Sequence, residues 1–209
     1  MTITVGVSNI TFPDSSTQSS APLPGVLGQV FTSSGTFTIP TGVTAAKVTV
    51  VGGGGGSAGA SNGCGGDTGG AGGGGATAIS YLTGLTSGNT LAVTVGGGGN
   101  AGNSTPSNGG AGGTSSVASG TQSITTISST GGGGGVVHTS AGAAGGTATG
   151  GTLNIRGGNG SYSSGGITLF STGSVGAGNL YGGGASATGV ICNSVPGNAG
   201  ASGLVIFEW

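Results

Sequence analysis

The sequence predicts an all-β fold without α-helix, in which short strands cap a body of packed polyglycine-II helices. Three observations predict it. Glycine supplies 57 of the 209 residues, far above the roughly 7% usual share, and no apolar pattern of period 3.6 runs free of it, which excludes a helical domain. The 33% of hydrophobic residues gather in short alternating runs, as strands with one buried face require. The glycine tracts carry almost no proline, so every backbone N–H in them stays available as a donor. Disorder is the competing reading of such a composition, and the clustering of apolar residues argues against it.

The chain from Met1 to Gly28 holds Pro13, Pro22 and Pro24, three of the six prolines. Proline fixes φ and pushes its predecessor toward extended geometry, so this stretch reads as an extended arm, with Thr2 to Val7 able to add one strand to a partner. From Gln29 to Trp209 the expected strands are Gln29 to Thr32, Gly35 to Ile39 and Ala46 to Val51. Within the last, Val48 and Val50 point to one face and Lys47, Thr49 and Val51 to the other. Further strands are expected at Ala76 to Leu82, Leu91 to Val95, Ile124 to Ser128, Val136 to His138, Gly166 to Phe170 and Leu204 to Trp209.

Between them lie the tracts Gly52 to Gly56, Gly72 to Gly75, Gly96 to Gly99 and Gly131 to Gly135. They lack a strict G-X-Y period, which rules out a collagen triple helix. A left-handed extended glycine helix has no internal hydrogen bonds, so its N–H groups can donate sideways to neighbours of the same kind, each bond contributing a net ~1 kcal/mol. Ordering that much glycine costs up to ~2 kcal/mol per residue. Apolar strands capping the layers, and association between copies, would offset it.

Only Asp14, Lys47, Asp67, Arg156 and Glu208 are charged. Two cations are too few to bind nucleic acid or an anionic membrane surface. No run approaches the roughly 20 apolar residues of a membrane span, and Met1 to Ile10 has no signal-peptide pattern. Synthesis in a cytoplasm is therefore expected. Cys64 and Cys192 are read as free, buried thiols.

Gly55-Gly56-Ser57-Ala58-Gly59 fits the serine nucleophile-elbow pattern, and matches to G-x-G-x-x-G arise by chance at this glycine content. A nucleophile needs a base. His138 is the sole histidine, and nothing in the sequence brings it to Ser57 or Asp67. Cys64, Asp67, His138 and Cys192 lack metal-ligand spacing, and Asp67 suits a turn. Paired carboxylates for sugar cleavage are nearly absent. The expectation is a non-enzymatic protein with no cofactor and no metal.

The run Val30-Phe31-Thr32-Ser33-Ser34-Gly35-Thr36-Phe37-Thr38-Ile39-Pro40-Thr41-Gly42-Val43, continued by Lys47-Val48-Thr49-Val50-Val51 into Gly52 to Gly56, resembles the entry into the glycine-rich tip domain of bacteriophage tail fibres and receptor-binding adhesins. Leu91-Ala92-Val93-Thr94-Val95-Gly96-Gly97-Gly98-Gly99-Asn100 is similar to an internal element of that family, and Gly197 to Trp209 to its ending. Ile10 to Ala21 resembles a fibre-shaft motif, with Ser15-Ser16 where that motif has Gly-Thr. The resemblance covers roughly residues 10 to 56 and 76 to 209. It implies a virion protein with a polyglycine-II core, whose loops between glycine tracts bind a host cell-surface receptor, an outer-membrane protein or a glycan.

Two domains follow: an attachment arm over 1–28 that joins a fibre, baseplate or tail protein, and a receptor-binding tip over 29–209. A homotrimer is expected, through strand edges or the arm. Aromatic and Arg side chains set among Gly and Ser are typical interface anchors, so the candidate receptor-binding residues are Arg156, Asn159, Tyr162, Phe170, Asn179 and Tyr181. The bland reading of Phe170 and Tyr181 is that they fill a sparse core. The alternative function is a glycine-rich structural or ice-binding protein, which would show a regular three-residue repeat that this chain lacks.

Overall fold

The structure, a computed structural model, describes residues 4–5, 10–11, 17–18, 27–60, 69–105, 107–139, 141–161, 164–171, 176–187 and 194–209. The described residues form strands and no helix. Three two-residue strands, β1 (Thr4–Val5), β2 (Ile10–Thr11) and β3 (Thr17–Gln18), pair antiparallel in that order. The remainder of the arm expected over 1–28 lies mostly outside the described residues.

Ten further strands build a sandwich of two antiparallel sheets. They are β4 (Gly28–Phe31), β5 (Gly35–Thr38), β6 (Ala45–Val51), β7 (Thr77–Thr83), β8 (Thr90–Thr94), β9 (Ser115–Ser119), β10 (Ile127–Ser129), β11 (Ala148–Thr149), β12 (Leu153–Ile155) and β13 (Leu204–Glu208). One sheet runs β12-β7-β6-β13-β4, the other β11-β10-β9-β8-β5. Alternation in β6 assigns the faces as the sequence predicts: Val48 and Val50 enter the core between the sheets with Phe37, Leu91, Val117, Ile127 and Phe207. Phe207 stacks on Phe37 with ring centroids 3.9 Å apart and meets Phe31 edge-on at 5.9 Å. Such pairs add roughly 0.5–1.5 kcal/mol beyond their area.

Two expected strands are corrected. Val136–His138 forms a turn, with His138 at φ 57°, because the chain must reverse there between two extended segments. Gly166–Phe170 contributes only an isolated bridge between Thr168 and Ser171, with Leu169 and Phe170 in the turn they close. The strand expected over Ile124 to Ser128 is confined to β10, while β9, β11 and β12 lie in stretches not read as strands.

Where strands end, glycine segments begin, and hydrogen bonding changes period. Along 52–60 every N–H donates to another segment, at 2.8–3.1 Å. Gly52, Gly55 and Ala58 donate to Ala76, Gly73 and Gly70; Gly53, Gly56 and Gly59 donate to Gly113, Gly110 and Ser107; Gly54, Ser57 and Ala60 donate to Ala201, Asn198 and Val195. The carbonyls of the same segment accept from Gly99 and Gly102, from Gly132 and Gly135, and from Ala185. Segment 52–60 is therefore ringed by six others. Adjacent members of the ring bond to one another too, as in Gly73 to Gly133, Gly112 to Gly132, Gly113 to Gly97, Gly200 to Gly99, Ala201 to Gly183 and Gly72 to Ala185.

Approach this close leaves no room for side chains. A Cβ at Gly54 would overlap the carbonyl oxygen of Gly183, whereas one at Gly97 would meet nothing within 4 Å. Gly54→Ala should lower stability by about 1–3 kcal/mol through forced backbone displacement. Gly97→Ala should be neutral or raise stability by up to about 1 kcal/mol by restricting the unfolded chain. Denaturant midpoints of the two variants check the contrast.

Candidate functional site

The segments leave the sandwich and return to it, so their turns fall at two levels. Residue 52 lies at the sheets, beside Ala76, while residue 60 bridges Val195. Extended backbone at ~3.1 Å per residue puts these levels about 25 Å apart. At the far level the chain reverses near 103–107 and 136–141, and the segments beginning at Gly69 and Ser194 start back toward the sheets, while the reversal near 160–164 lies closer in, four residues from the turn at Thr168. At the sheet level stand the turns 168–171 and 179–182.

Chain entry marks the opposite pole. β13 runs from the glycine body at Leu204 to Glu208, which pairs with Gly28, and Leu27 exchanges backbone hydrogen bonds with Trp209. Residues before Leu27 therefore join the sandwich at the end away from the glycine body.

The candidate residues do not gather in one place. Asn159 lies within the glycine body, in the segment that leaves β12, where its Oδ1 accepts from the Gly145 N–H at 3.0 Å. Tyr162 lies outside the described residues. Arg156 directly follows β12 at the sheet level and is exposed. The Gly158 N–H donates to Ile167, so Arg156 shares that level with the 168–171 turn. Phe170 is exposed there, not packed in the core, and exposed Asn179 and half-buried Tyr181 occupy the second sheet-level turn.

Thr168 ties the two turns together. Its Oγ1 donates to the Tyr181 carbonyl at 3.0 Å and accepts from the Phe170 N–H at 3.2 Å. Tyr181 has φ 61°, a left-handed conformation that is costly for an aromatic residue. Around this hub Leu169 and Leu180 are exposed alongside Phe170. Sequence reasoning singles out neither leucine, since Gly166 to Phe170 reads only as a strand and the rarer aromatic residues stand out.

A second feature lies on the outer face of the β6-containing sheet. Lys47 and Glu208 are directly opposed across β6 and β13, with Nζ 2.8 Å from Oε2. Tyr81 stands beside Lys47 on β7, and with Ala45, Ala46, Leu82 and Thr83 these residues line an open cavity of about 270 Å³. The hydrogen bond to Glu208 holds the Lys47 ammonium above its ordinary value, against a smaller opposing effect of desolvation.

Ser57 is fully buried, and its Oγ accepts from the Asn198 N–H at 2.8 Å. A hydroxyl so enclosed is out of a substrate's reach. Among the described residues no group of His, Cys, Asp or Glu could hold a metal ion. Cys64, Asp67 and Cys192 lie outside the described residues.

Thr168→Val removes the hydroxyl at nearly constant volume, at a cost of about 1 kcal/mol. Amide exchange should quicken at Phe170 and stay unchanged at Gly55 and Gly73. The Lys47 ion pair, half exposed, is worth about 0.2–1 kcal/mol. Since the folded-state value is raised, that stabilisation is present below the ordinary 10.5 and fades as pH climbs through the folded value. Alkaline titration of stability should therefore be shallower in Glu208→Gln than in the parent.

A family model described as a glycine-rich domain matches residues 32–209. No curated protein matches the chain.

Proposed function

We propose that this chain, which belongs to the glycine-rich domain family, is a bacteriophage tail-fibre tip protein that binds a host cell-surface receptor without catalysis. The observation that carries the reading is the polarity of the molecule. Chain entry at Leu27 lies at one pole, while the turns near 103–107 and 136–141 lie toward the far end of segment 52–60, about 25 Å from the sheets, at the other. A protein that must be tethered at one end and touch a cell at the other needs that arrangement. The order of sequence elements shared with tail-fibre tips supports it further.

The three-residue donor period along 52–60 supports the finer reading that the glycine segments are polyglycine-II helices, since that helix has three residues per turn. In this reading the body is a rigid spacer that gives the turns their positions and leaves their composition free. The turns differ from one another, Asn103 to Ser107 being polar and Val136 to Thr139 mixed, which suits a receptor better than the repeating face of ice. Residues 1–28 attach the tip to a fibre, baseplate or tail protein, and copies associate as a trimer so that several sets of turns act together.

Receptor contact is assigned to the turns of the glycine body, with His138 in its turn at φ 57°, and with Tyr162 as the aromatic anchor singled out by the sequence. Tyr162→Ala combined with His138→Ala should weaken adsorption of the purified protein to host cells about tenfold or more. Thr83→Ala, at the opposite pole, should leave adsorption unchanged. Equal adsorption by parent and double variant would overturn the assignment.

A further inference from the structure

The outer face of the β6-containing sheet is apolar where a solvated face would be polar. The strand registers place Leu153, Ile79, Thr49, Ile206 and Val30 side by side across its five strands. Val30 is 58% exposed and Leu153 52%. On the same face, one register row nearer the glycine body, Val51 and Leu204 are 0% and 3% exposed. The chain covers that row itself: a Cβ at Gly182 would lie 2.8 Å from Val51 Cγ1 and 2.9 Å from Thr168 Cγ2. The two sheet-level turns thus lie over one end of the face as a ledge; in the next row Thr49 is buried at 2%, and exposure is greatest at Leu153 and Val30 on the two edge strands.

The ledge is apolar as well. Leu169, Phe170 and Leu180 are exposed on it, the last at 75%. Among the described residues, six of the ten exposed large hydrophobics belong to this one surface, counting Tyr81 with Val30, Leu153 and the three on the ledge. Scattered apolar side chains need no explanation, but this many on one sheet face and its ledge mark an interaction site.

We infer that this stepped face is where copies of the chain pack on one another. The inference rests on the proposal that copies associate, and it assigns the contact to the sheet face and ledge, in place of the strand edges or the arm. Charge selects the occupant. Among the described residues the charged groups on the strands of the face are Lys47 and Glu208, already opposed at 2.8 Å, and exposed Arg156 follows β12 at the level of the ledge. Each copy brings the same neutral pair, so Lys47 of one can face Glu208 of the next without uncompensated charge. Shape points the same way, because every copy carries both the apolar ledge and, beside Tyr81, an open recess. The cavity beside Tyr81 gives that recess room for an inserted side chain.

Sedimentation velocity of the full chain tests this. The parent should be oligomeric at micromolar concentration. Val30→Glu and Leu180→Glu should each weaken association about tenfold or more, because each buries a charge against apolar surface. Both sites are exposed in the single copy, and unchanged circular dichroism would establish that the variants fold. Lys47→Glu and Glu208→Lys should each weaken self-association, and an equimolar mixture of the two should regain it, since one then carries only negative and the other only positive charge on the strands of the face. An oligomer indifferent to both glutamate substitutions overturns the face while leaving self-association standing. A mixture no better than its components overturns the exchange of Lys47 and Glu208 between copies. A monomeric parent overturns the inference together with the proposed association, and leaves receptor adsorption to be judged on its own variants.

Discussion

Sideways backbone hydrogen bonding between segments that lack side chains is the constraint on which the rest of this structure depends. Segment 52–60 is buried throughout, and its donors rotate among three neighbours with a period of three. Two neighbours are all that a strand can have in a sheet. Six become possible only when successive N–H and C=O groups turn about the axis and when no Cβ holds the axes apart. Ala58, Ala60 and Ser57 show where the ring tolerates a small side chain, and at Ser57 the hydroxyl is itself used, accepting from Asn198.

The sandwich makes such a body possible. Glycine segments have no side chains with which to choose a register, and ordering them is costly. Each is delivered in register by a strand whose side chains do specify a position: β6 launches 52–60 and β7 receives 70–76, with Val48 and Ser80 opposed in the paired strands. β13 receives the last segment and buries Phe207 against Phe37. The apolar core thus does more than stabilise its own two sheets. It fixes the starting level of every segment beyond them.

Much of the fold was legible from the chain. The two-residue period of Ala45 to Val51 gave both faces of β6, and the absence of proline from the tracts pointed to segments that keep all their donors. β9 was not legible, because Ser115-Ser116-Val117-Ala118-Ser119 carries a single large apolar residue. The pairing of segments was not legible either, since identical glycines mark no register and the partners of Gly52 to Gly56 lie throughout the sequence. At the site, Phe170 was singled out by the rarity of aromatic residues, while Leu169 and Leu180, of a common residue type, carried no such mark. The division of the candidate residues between two levels depends on where segments turn back, and that is set by the sandwich and not by local sequence.

A body held in this way should also respond to temperature unlike an ordinary domain. Unfolding a conventional core exposes apolar surface and raises the heat capacity, whereas exposing peptide groups lowers it. Residues 52–60 and 69–76 are buried almost wholly as backbone, with alanine methyls as their largest apolar groups. Their share of the heat-capacity change on unfolding is therefore small or negative, and it opposes the positive share of the sandwich core. The stability curve of the whole is flattened, and a flat curve keeps its height far from its maximum in both directions. The glycine body thereby extends the range of temperature, cold as well as warm, over which the turns it carries hold their places.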